Sequence, residues 1–576
     1  METPHEHGPL SGRPWLASYA PGVAAEVDVP DESLPEMLAG SARRYGERVA
    51  LDFFGAETTY AELAERVDRA AEALRVLGVQ PGDRVALVLP NCPQHVVAFY
   101  AVLRLGGVVV EHNPLYTGTE LQHQLADCAA SVVVCWDKTA PVVDELRGST
   151  SVRTVLAVDL SSALPWRKRL ALRLPVAKAR TAREAMTGPV PDGVQRWERF
   201  AVSTGPIDPA HPYPAPADTA LLQYTGGTTG TPKGAILTHR NLRANAAQGR
   251  AWMPGLEDGR ETVYAVLPLF HAYGLTLCLT FSMSVGATLV LLPRFDLEQV
   301  LEAVRRRPPT FLPAVPPIYE RMAAAARERG IDLTSIRYAI SGAMALPPPV
   351  VDAWESVTGG LLVEGYGMTE TSPVSLGNPA APSRRPGTVG VPFPSTEIRV
   401  VDPDDPSHDM SVGEEGELLI RGPQVFAGYW NRPEETAAVL LPRGWLRTGD
   451  VVVADPDGFV RIVDRIKELI ITGGFNVYPS EVEDALRDLP EVEDVAAVGV
   501  RGGADAGEEV VVAVVPAPGA TVDPERVRAH ARERLAGYKV PRRVVVVDEL
   551  PRSQIGKVLR RRVRDRIEAM EALDQG

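Results

Sequence analysis

The sequence predicts an α/β protein in which parallel sheets are layered with helices, followed by a small α+β domain at the C-terminus. Two observations predict this class. Helix and strand patterns alternate along the chain to about residue 460, which is typical of parallel sheets covered by helices. After residues 464–467 the pattern changes to a helix and short alternating strands. A chain of 576 residues has room for several domains of ordinary size.

The alternation begins near the N-terminus. Apolar residues recur at helical spacing after Thr59, which predicts a helix capped by this threonine, and a strand is expected over residues 85–89. The unit repeats as a helix over residues 96–105 and a strand over residues 108–110. We therefore expect helix–strand units that build parallel sheets.

The C-terminal region has a different pattern. Ser480 is expected to cap a helix over residues 481–486, and residues 495–500 and 509–515 are expected to form strands. These elements predict a compact domain of about 110 residues, which is an ordinary domain size.

Composition and charge exclude several classes of protein. The formal net charge of −14 repels phosphate backbones, so nucleic acid is not expected as a partner and any nucleotide must bind locally. The four cysteines lack the spacing of metal ligands and are too few for a disulfide framework, which favours a reducing cytoplasm.

No secretory signal or membrane span is expected. The first residues carry acids and lack a continuous apolar stretch. Residues 262–293 contain no charged residue and are long enough to cross a bilayer. Pro268, Gly274 and Gly286 interrupt that stretch, so a helix followed by a buried strand is the better interpretation.

Residues 166–183, here called the basic insertion, hold seven basic residues and no acid, interleaved with leucines. Such a strip could lie on an anionic membrane surface. Pro175 breaks any long helix, so a solvated insertion with a positive face is the alternative, and the sequence favours neither.

The strongest local signal is the Gly/Thr-rich stretch of residues 224–234, which follows a short apolar run. Its glycines allow backbone N–H groups to approach an anion, and Lys233 adds a positive charge, so the composition suits a polyphosphate. It is not a Walker A loop, because Pro232 and Gly234 stand where Gly and Ser or Thr are required. A flexible surface loop has a similar composition.

Four further motifs follow in order: EGYGMTE at 364–370, WLRTGD at 445–450, DRIK at 464–467 and PRSQIGK at 551–557. Together with residues 224–234, they resemble the motifs of the adenylate-forming enzymes, the superfamily of acyl-CoA synthetases, luciferases and peptide-synthetase adenylation domains. Several other stretches are most similar to bacterial long-chain fatty acyl-CoA ligases, including residues 422–430 and the basic insertion.

This resemblance implies a fold and a division of the chain. The N-terminal adenylation domain, residues 1–466, would contain parallel-sheet subdomains and a small β-rich subdomain and would bind ATP and the acyl substrate. Residues 467–576 would form a mobile cap that carries the catalytic lysine and a loop for CoA, with Lys467 as the hinge.

The resemblance also implies roles for individual residues. Lys557 would be catalytic and bridge the acyl carboxylate and the α-phosphate, and His271 would act beside the acyl carboxylate. Thr225 and Glu370 would lie next to Mg²⁺. The implied ATP site consists of Thr225, Gly226, Gly227, Thr228, Thr229, Gly230, Lys233, Gly342, Ala343, Glu364, Gly365, Tyr366, Thr369, Asp450, Arg465 and Lys467.

The remaining implied sites bind the acyl group and CoA. Gly342 and Gly367 would line the acyl site with His271, and Gly473, Gly474 and Phe475 would contact CoA. Asp450 would accept hydrogen bonds from the ribose hydroxyls, with Arg465 supporting it.

The expected activity is ATP-dependent ligation of a long-chain fatty acid to CoA, which releases AMP and pyrophosphate. Transfer of the acyl group to a carrier protein, a medium-chain or aryl acid as substrate, and a nucleotide-binding regulatory protein without chemistry are the alternatives. The expected location is the cytoplasm. Peripheral contact at the inner membrane face and a homodimer stay open.

Overall fold

The structure is a computed structural model that describes residues 8–225, 232–472, 475–501, 508–553 and 556–574. The strands, numbered along the chain, are β1 (Val49–Phe53), β2 (Ala56–Thr59), β3 (Arg84–Val88), β4 (Val108–Glu111), β5 (Val132–Trp136), β6 (Thr154–Val158), β7 (Gln195–Arg196), β8 (Thr219–Tyr224), β9 (Gly234–Thr238), β10 (Thr262–Ala265), β11 (Thr288–Leu291), β12 (Phe311–Ala314), β13 (Tyr338–Ser341), β14 (Leu361–Gly367), β15 (Val374–Gly377), β16 (Val391–Pro392), β17 (Glu397–Val401), β18 (Glu415–Arg421), β19 (Gly428–Tyr429), β20 (Leu440–Leu441), β21 (Trp445–Ala454), β22 (Val460–Arg465), β23 (Ile470–Thr472), β24 (Phe475–Val477), β25 (Val492–Arg501), β26 (Glu508–Pro516) and β27 (Arg543–Val546).

The helices are α1 (Leu34–Tyr45), α2 (Tyr60–Leu77), α3 (Pro93–Arg104), α4 (Gly118–Cys128), α5 (Ala140–Glu145), α6 (Trp166–Ala171), α7 (Ala177–Met186), α8 (Trp197–Phe200), α9 (His239–Trp252), α10 (Ala272–Gly274), α11 (Phe281–Val285), α12 (Leu297–Arg306), α13 (Pro316–Arg329), α14 (Pro348–Thr358), α15 (Pro433–Val439), α16 (Pro479–Arg487), α17 (Pro524–Arg534) and α18 (Arg560–Asp574). A π-helical segment lies at Leu275–Thr280. Short 3-10 turns lie at Pro14–Ser18, Leu146–Ser149, Leu160–Ala163, Thr369–Thr371, Pro442–Gly444 and Ile466–Glu468.

Two large sheets form the body of the N-terminal part. One has the strand order β16-β15-β14-β13-β12-β10-β11-β1-β2, and the other has the order β19-β9-β8-β4-β3-β5-β6-β7. Their central pairs, such as β12 with β13 and β3 with β4, are parallel. Antiparallel strands complete the ends, as where β14 pairs with β15 and β8 with β9. The predicted parallel sheets are confirmed.

Local sequence explains the main helix–strand units. The Thr59 hydroxyl accepts the Glu62 N–H at 3.2 Å, and the Glu62 carboxylate accepts the Thr59 N–H at 2.9 Å, so a reciprocal cap starts α2 as expected. Helix α3 is buried along its whole length, because it lies between α2 and the sheet that contains β3 and β4.

A third, smaller sheet follows in the order β17-β18-β21-β20, with β22 on β21. It is the small β-rich subdomain. Strand β22 ends at Arg465, and beyond it the strands β25, β26 and β27 form a separate sheet. That C-terminal sheet buries Val510, Val512 and Val514 in one cluster and Val511 and Ala513 in another, as the alternation of a strand requires.

One helix start differs from the prediction. Ser480 does not cap α16, because the helix begins two residues before the expected start, at Pro479, whose fixed φ is favourable in the first helical position. The Ser480 hydroxyl lies instead 2.7 Å from Oδ2 of Asp464, and this carboxylate also accepts the Ser480 N–H at 3.0 Å. The end of β22 is thereby tied to the first turn of α16.

Among the described residues, no helix is long and apolar enough to cross a membrane. The uncharged stretch of residues 262–293 forms β10, a run of short helical segments and β11, all largely buried.

Candidate active site

A hairpin frames the predicted phosphate loop. Strands β8 and β9 are antiparallel and pair Tyr224 with Gly234, and the Thr225 N–H donates to the Lys233 carbonyl at 2.9 Å. The two strands therefore hold the ends of the loop together. The predicted phosphate-binding residues within it, Gly226, Gly227, Thr228, Thr229 and Gly230, lie outside the described residues.

Lys233 lies at the exit of this loop. Its Nζ is 2.8 Å from Oε2 of Glu435 on α15 and 4.4 Å from the ring centroid of Tyr429. The Tyr429 hydroxyl donates to Oε1 of Glu370 at 2.6 Å. Tyr429 therefore links the cation of the loop to the carboxylate predicted to lie next to the metal. Burial and the Glu370 charge raise the pKa of Tyr429, so its hydroxyl stays protonated.

Asp450, predicted to hold the ribose, is buried at 3% exposure and has two partners. Arg465 places Nε 2.9 Å from Oδ1, across the pairing of β21 with β22. The Tyr366 hydroxyl donates to Oδ2 at 2.5 Å. Burial first, and then the Asp450 charge, raises the pKa of Tyr366. The pairing of β21 with β22 and the end of β14 thus orient one carboxylate.

The strand end around residues 364–367 is sterically tight. A Cβ on Gly367 would lie 1.8 Å from the Pro373 carbonyl oxygen, whereas one on Gly365 would meet the Ile340 side chain at 3.2 Å. Burial raises the pKa of Glu364 to about 8, so this carboxyl is largely neutral near pH 7. Thr369 starts the 3-10 turn that carries Glu370.

The neighbouring loop after β13 carries Gly342 and Ala343. A Cβ on Gly342 would lie 3.2 Å from the Tyr273 ring, so the glycine allows close packing. Ala343 has φ of +68°, a left-handed conformation that costs energy for a residue with a side chain. Such strain is typical of functional loops.

Lys557 comes from the C-terminal domain and reaches this site. The turn is held by the Ser553 N–H, which donates to the Lys557 carbonyl at 2.7 Å. The adjacent Gly556 is so close to the loop after β13 that a Cβ would lie 3.1 Å from Sδ of Met344.

The charges around Lys557 also identify its position. Burial, and after it the positive charge of Arg465, lower the pKa of Lys557 to about 8, although the charges of Glu468 and Asp450 act in the opposite direction. The ammonium group therefore belongs to the same electrostatic cluster as the Asp450–Arg465 pair. Arg560, at the start of α18, contacts Glu468 and lies 2.8 Å from Glu483. The segment that carries Lys557 is thereby connected to Glu468, the residue after the predicted hinge Lys467.

His271 precedes α10, and its Nδ1 accepts the Tyr273 N–H at 3.3 Å. Burial lowers the pKa of His271 to about 4, so the ring is neutral at physiological pH. Tyr273 in turn packs on Gly342, which places His271 next to the loop after β13.

The predicted CoA loop is described only at its ends. Gly473 and Gly474 lie outside the described residues, and Phe475 begins β24, whose backbone pairs with Thr472 of β23. Lys467, the predicted hinge, lies in the 3-10 turn Ile466–Glu468 directly after β22.

Sequence reasoning missed four residues that shape this site: Met344, Tyr429, Glu435 and Glu468. Tyr429 falls within the stretch 422–430 that resembles the bacterial ligases, which was an available signal. Glu435 and Glu468 have no distinguishing pattern, since each is an acidic residue in an ordinary helical turn.

The described residues also bear on a metal site. Among them, no group of three or more His, Cys, Asp or Glu side chains could hold a metal ion. Mg²⁺ is usually held by one or two carboxylates together with substrate phosphates. The buried carboxylate of Glu370, next to the phosphate hairpin, fits a site of that kind.

The fold and the site define a class: α/β enzymes whose small C-terminal domain supplies a lysine to a site in the N-terminal part. The model of the AMP-binding enzyme family matches residues 38–430, and that of the AMP-binding enzyme C-terminal domain matches residues 481–557. The chain belongs to the AMP-binding enzyme family, which confirms the predicted superfamily.

Similar proteins cover nearly the whole chain. The long-chain-fatty-acid–CoA ligase of Bacillus subtilis (strain 168) is 40% identical over 96% of this chain and 98% of its own. The long-chain-fatty-acid–CoA ligase of Yersinia pestis is 40% identical over 96% of this chain and 97% of its own. The crystal structure of ATP-bound MatB from Rhodopseudomonas palustris is 30% identical, with a TM-score of 0.80, and covers 94% of this chain and 100% of its own.

Proposed function

We propose that this enzyme ligates a long-chain fatty acid to CoA at the expense of ATP, through an acyl-adenylate. The single observation that carries the proposal is the position of Lys557 beside the Asp450–Arg465 pair, where a cation can meet a nucleotide. Membership of the AMP-binding enzyme family supports ATP as a substrate. The names of the relatives from Bacillus subtilis and Yersinia pestis support a long-chain fatty acid and CoA as the other two.

The first half-reaction makes the carboxylate a good acyl donor. A carboxylate oxygen attacks the α-phosphorus of ATP, the bond to the β-phosphate oxygen breaks, and pyrophosphate leaves. Two anions must approach each other, so catalysis depends on positioning and on offsetting negative charge. In our proposal Lys557 contacts both the carboxylate and an α-phosphate oxygen, while Lys233 and the loop of residues 225–231 hold the outer phosphates.

The nucleoside is bound by the strand ends. Asp450 accepts hydrogen bonds from the ribose hydroxyls while Arg465 and Tyr366 keep its carboxylate in place. The proposed adenine site is formed by the loop after β13, the end of β14 and the 3-10 turn that follows it. Its residues are Gly342, Ala343, Glu364, Gly365, Tyr366 and Thr369.

Glu370 and Thr225 would hold Mg²⁺ together with the phosphates. The ion would neutralise phosphate charge as pyrophosphate leaves. Tyr429 orients the Glu370 carboxylate for this task, since its hydroxyl occupies one of the two carboxylate oxygens.

The second half-reaction requires a different lining of the same site. The CoA thiol sulfur, having lost its proton, attacks the acyl carbonyl carbon, and AMP leaves with the electron pair of the broken anhydride bond. We propose that the C-terminal domain rotates about Lys467 and exchanges Lys557 for the loop that contains Gly473, Gly474 and Phe475.

The acyl chain would start at His271, Gly342 and Gly367 and continue along the uncharged stretch after His271. The neutral imidazole of His271 would orient the carboxylate of the fatty acid without adding charge. Each CH₂ of a fatty acid that is buried in an apolar tunnel contributes about 0.8 kcal/mol, so affinity should increase with the length of the buried chain. The π-helical segment Leu275–Thr280 belongs to this uncharged stretch, and such segments are frequent at functional sites.

The deciding experiment measures pyrophosphate release over a fatty-acid length series, with and without CoA. We expect long-chain acids to give the highest kcat/KM and acyl-CoA to form. Lys557→Ala should lose about 10²- to 10³-fold in adenylation while it still binds ATP. Lys539→Ala is the matched control: it removes another lysine of the C-terminal domain, one whose Nζ is paired with Glu481 at 2.6 Å, and it should keep adenylation.

Other outcomes identify the alternatives. Adenylation without thioester formation from CoA would indicate transfer to a carrier protein. A preference for medium-chain or aryl acids would contradict the long-chain assignment. Full adenylation by Lys557→Ala would overturn the mechanism.

The proposed location is the cytoplasm, with peripheral contact at the inner membrane face. Cys92, Cys128, Cys135 and Cys278 are buried free thiols, as suits a reducing compartment.

A further inference from the structure

The basic insertion, residues 166–183, exposes an unusual amount of apolar surface. It consists of α6, a connection and the first part of α7. The exposed fractions are 68% for Trp166, 58% for Leu170, 53% for Leu174 and 52% for Val176. Other large apolar side chains that are exposed in the described residues are separated from one another in sequence. These four, called the apolar patch below, are instead concentrated within residues 166–176.

The same surface is strongly cationic. Its exposed basic side chains are those of Arg167, Arg169, Arg173, Lys178, Arg180 and Arg183. Lys168 is partly buried and lies 3.0 Å from Glu302. No acid occurs between residues 166 and 183, although the chain as a whole carries a net charge of −14. The positive charge is thus concentrated on one surface of an acidic protein.

The insertion is anchored by its other face. Leu172 packs against the main core and Ala179 is buried. Just beyond the insertion, the Trp136 indole donates to the Met186 carbonyl at 2.8 Å, and the Lys138 ammonium donates to the Glu184 carbonyl at 2.9 Å. These contacts use the face of the insertion that is turned toward the core, so the apolar patch on the other side is exposed to solvent.

We infer that the basic insertion docks this protein on an anionic lipid surface. Basic side chains attract anionic headgroups, and a tryptophan surrounded by leucines enters the boundary between headgroups and acyl chains. Nucleic acid would use the charge but not the apolar side chains, and the net charge of the chain opposes it. Helices as short as α6 and α7 lie on a bilayer and cannot cross it.

This inference goes beyond the proposed ligation and gives the proposed membrane contact its residues and its lipid class. Docking would place the enzyme where fatty acids partition. The binding test below uses no fatty acid, ATP or CoA, so failure of the docking and failure of the reaction are distinguishable.

The test is co-sedimentation of the full chain with phosphatidylcholine vesicles, with or without one-quarter phosphatidylglycerol, at low and high salt. We expect binding only to the anionic vesicles and release by salt. The triple variant Arg167→Glu, Arg169→Glu, Arg173→Glu should lose at least about a hundredfold in partition, because each basic residue near such a surface contributes roughly a fivefold factor. Trp166→Ala should lose about tenfold.

The matched control is a triple variant with the same change in net charge at exposed arginines elsewhere: Arg43→Glu, Arg305→Glu, Arg532→Glu. It should bind as the unaltered protein does. Equal loss in both triple variants, equal binding to neutral vesicles, or no binding to either kind would overturn the inference. Thermal unfolding of each variant shows whether a loss comes from misfolding.

Discussion

The pH dependence of adenylation tests the environment of Lys557. Burial lowers its pKa to about 8, whereas a solvated lysine has a pKa near 10.4. A lowered pKa for an amine means that the neutral form appears at lower pH. At pH 9 the ratio of neutral to charged lysine is then about ten to one, so about one tenth of the free enzyme carries the cation, against nearly all of it for a solvated lysine.

Adenylation measured as kcat/KM should follow that fraction, because kcat/KM reports the free enzyme. We expect a plateau below about pH 7 and a fall to about one tenth of the plateau at pH 9. The limb in kcat should lie at higher pH, because the phosphates of bound ATP stabilise the ammonium. The assay is the burst of pyrophosphate in the absence of CoA, at ATP concentrations below and above saturation.

Two variants separate Lys557 from other titrating groups. Lys557→Arg keeps its charge throughout and should lose the alkaline limb, even if its rate is lower. Glu468→Gln removes a charge that raises the pKa of Lys557, so its limb should move to lower pH. A flat profile between pH 7 and 9.5 for the unaltered enzyme, or an unchanged limb in Lys557→Arg, would refute the reasoning.

Three further predictions concern the rest of the site. Asp450→Asn leaves Arg465 without its charged partner, so KM for ATP should rise at least about tenfold and the free energy of unfolding should fall by about 1–3 kcal/mol. Initial rates measure the first effect and thermal unfolding the second, and an unchanged KM would contradict the ribose role of Asp450. Gly367→Ala forces a Cβ against the Pro373 carbonyl and should cost about 3 kcal/mol or more. In the control Gly365→Ala the nearest atom is on the Ile340 side chain at 3.2 Å, so this variant should cost less, and equal unfolding midpoints would show that the steric account is wrong. Lys467→Pro should spare pyrophosphate release and depress thioester formation, with Lys467→Ala as the control, and equal loss of both half-reactions would argue against a hinge.

The general architecture could be predicted because its signals are local. Capping at Thr59, helical spacing after it and apolar strands between turns are properties of adjacent residues, and the structure confirms the α/β class from them. The exception at Ser480 has the same origin, since Pro479 decides locally where α16 begins. Element boundaries otherwise differ from the predictions by a few residues.

The motif residues could be named in advance for a different reason. Asp450, Glu370 and Lys557 lie in short stretches with strong resemblance to a family, and the family is confirmed. Their individual roles stay predictions. Tyr429, Glu435 and Glu468 could not be assigned because their importance comes from partners that are distant in sequence: Glu370, Lys233 and Arg560.

The sequence by itself determined the order of helices and strands, the family and the chemical groups available to the site, because these depend on residue type and on short spacings. Only the tertiary structure decided that Lys557 lies in the electrostatic field of Asp450 and Arg465, and that Trp166, Leu170, Leu174 and Val176 of the basic insertion are exposed. Both results depend on how distant segments pack. The charge that a lysine keeps and the surface that a leucine exposes are set by the neighbours that folding brings to them.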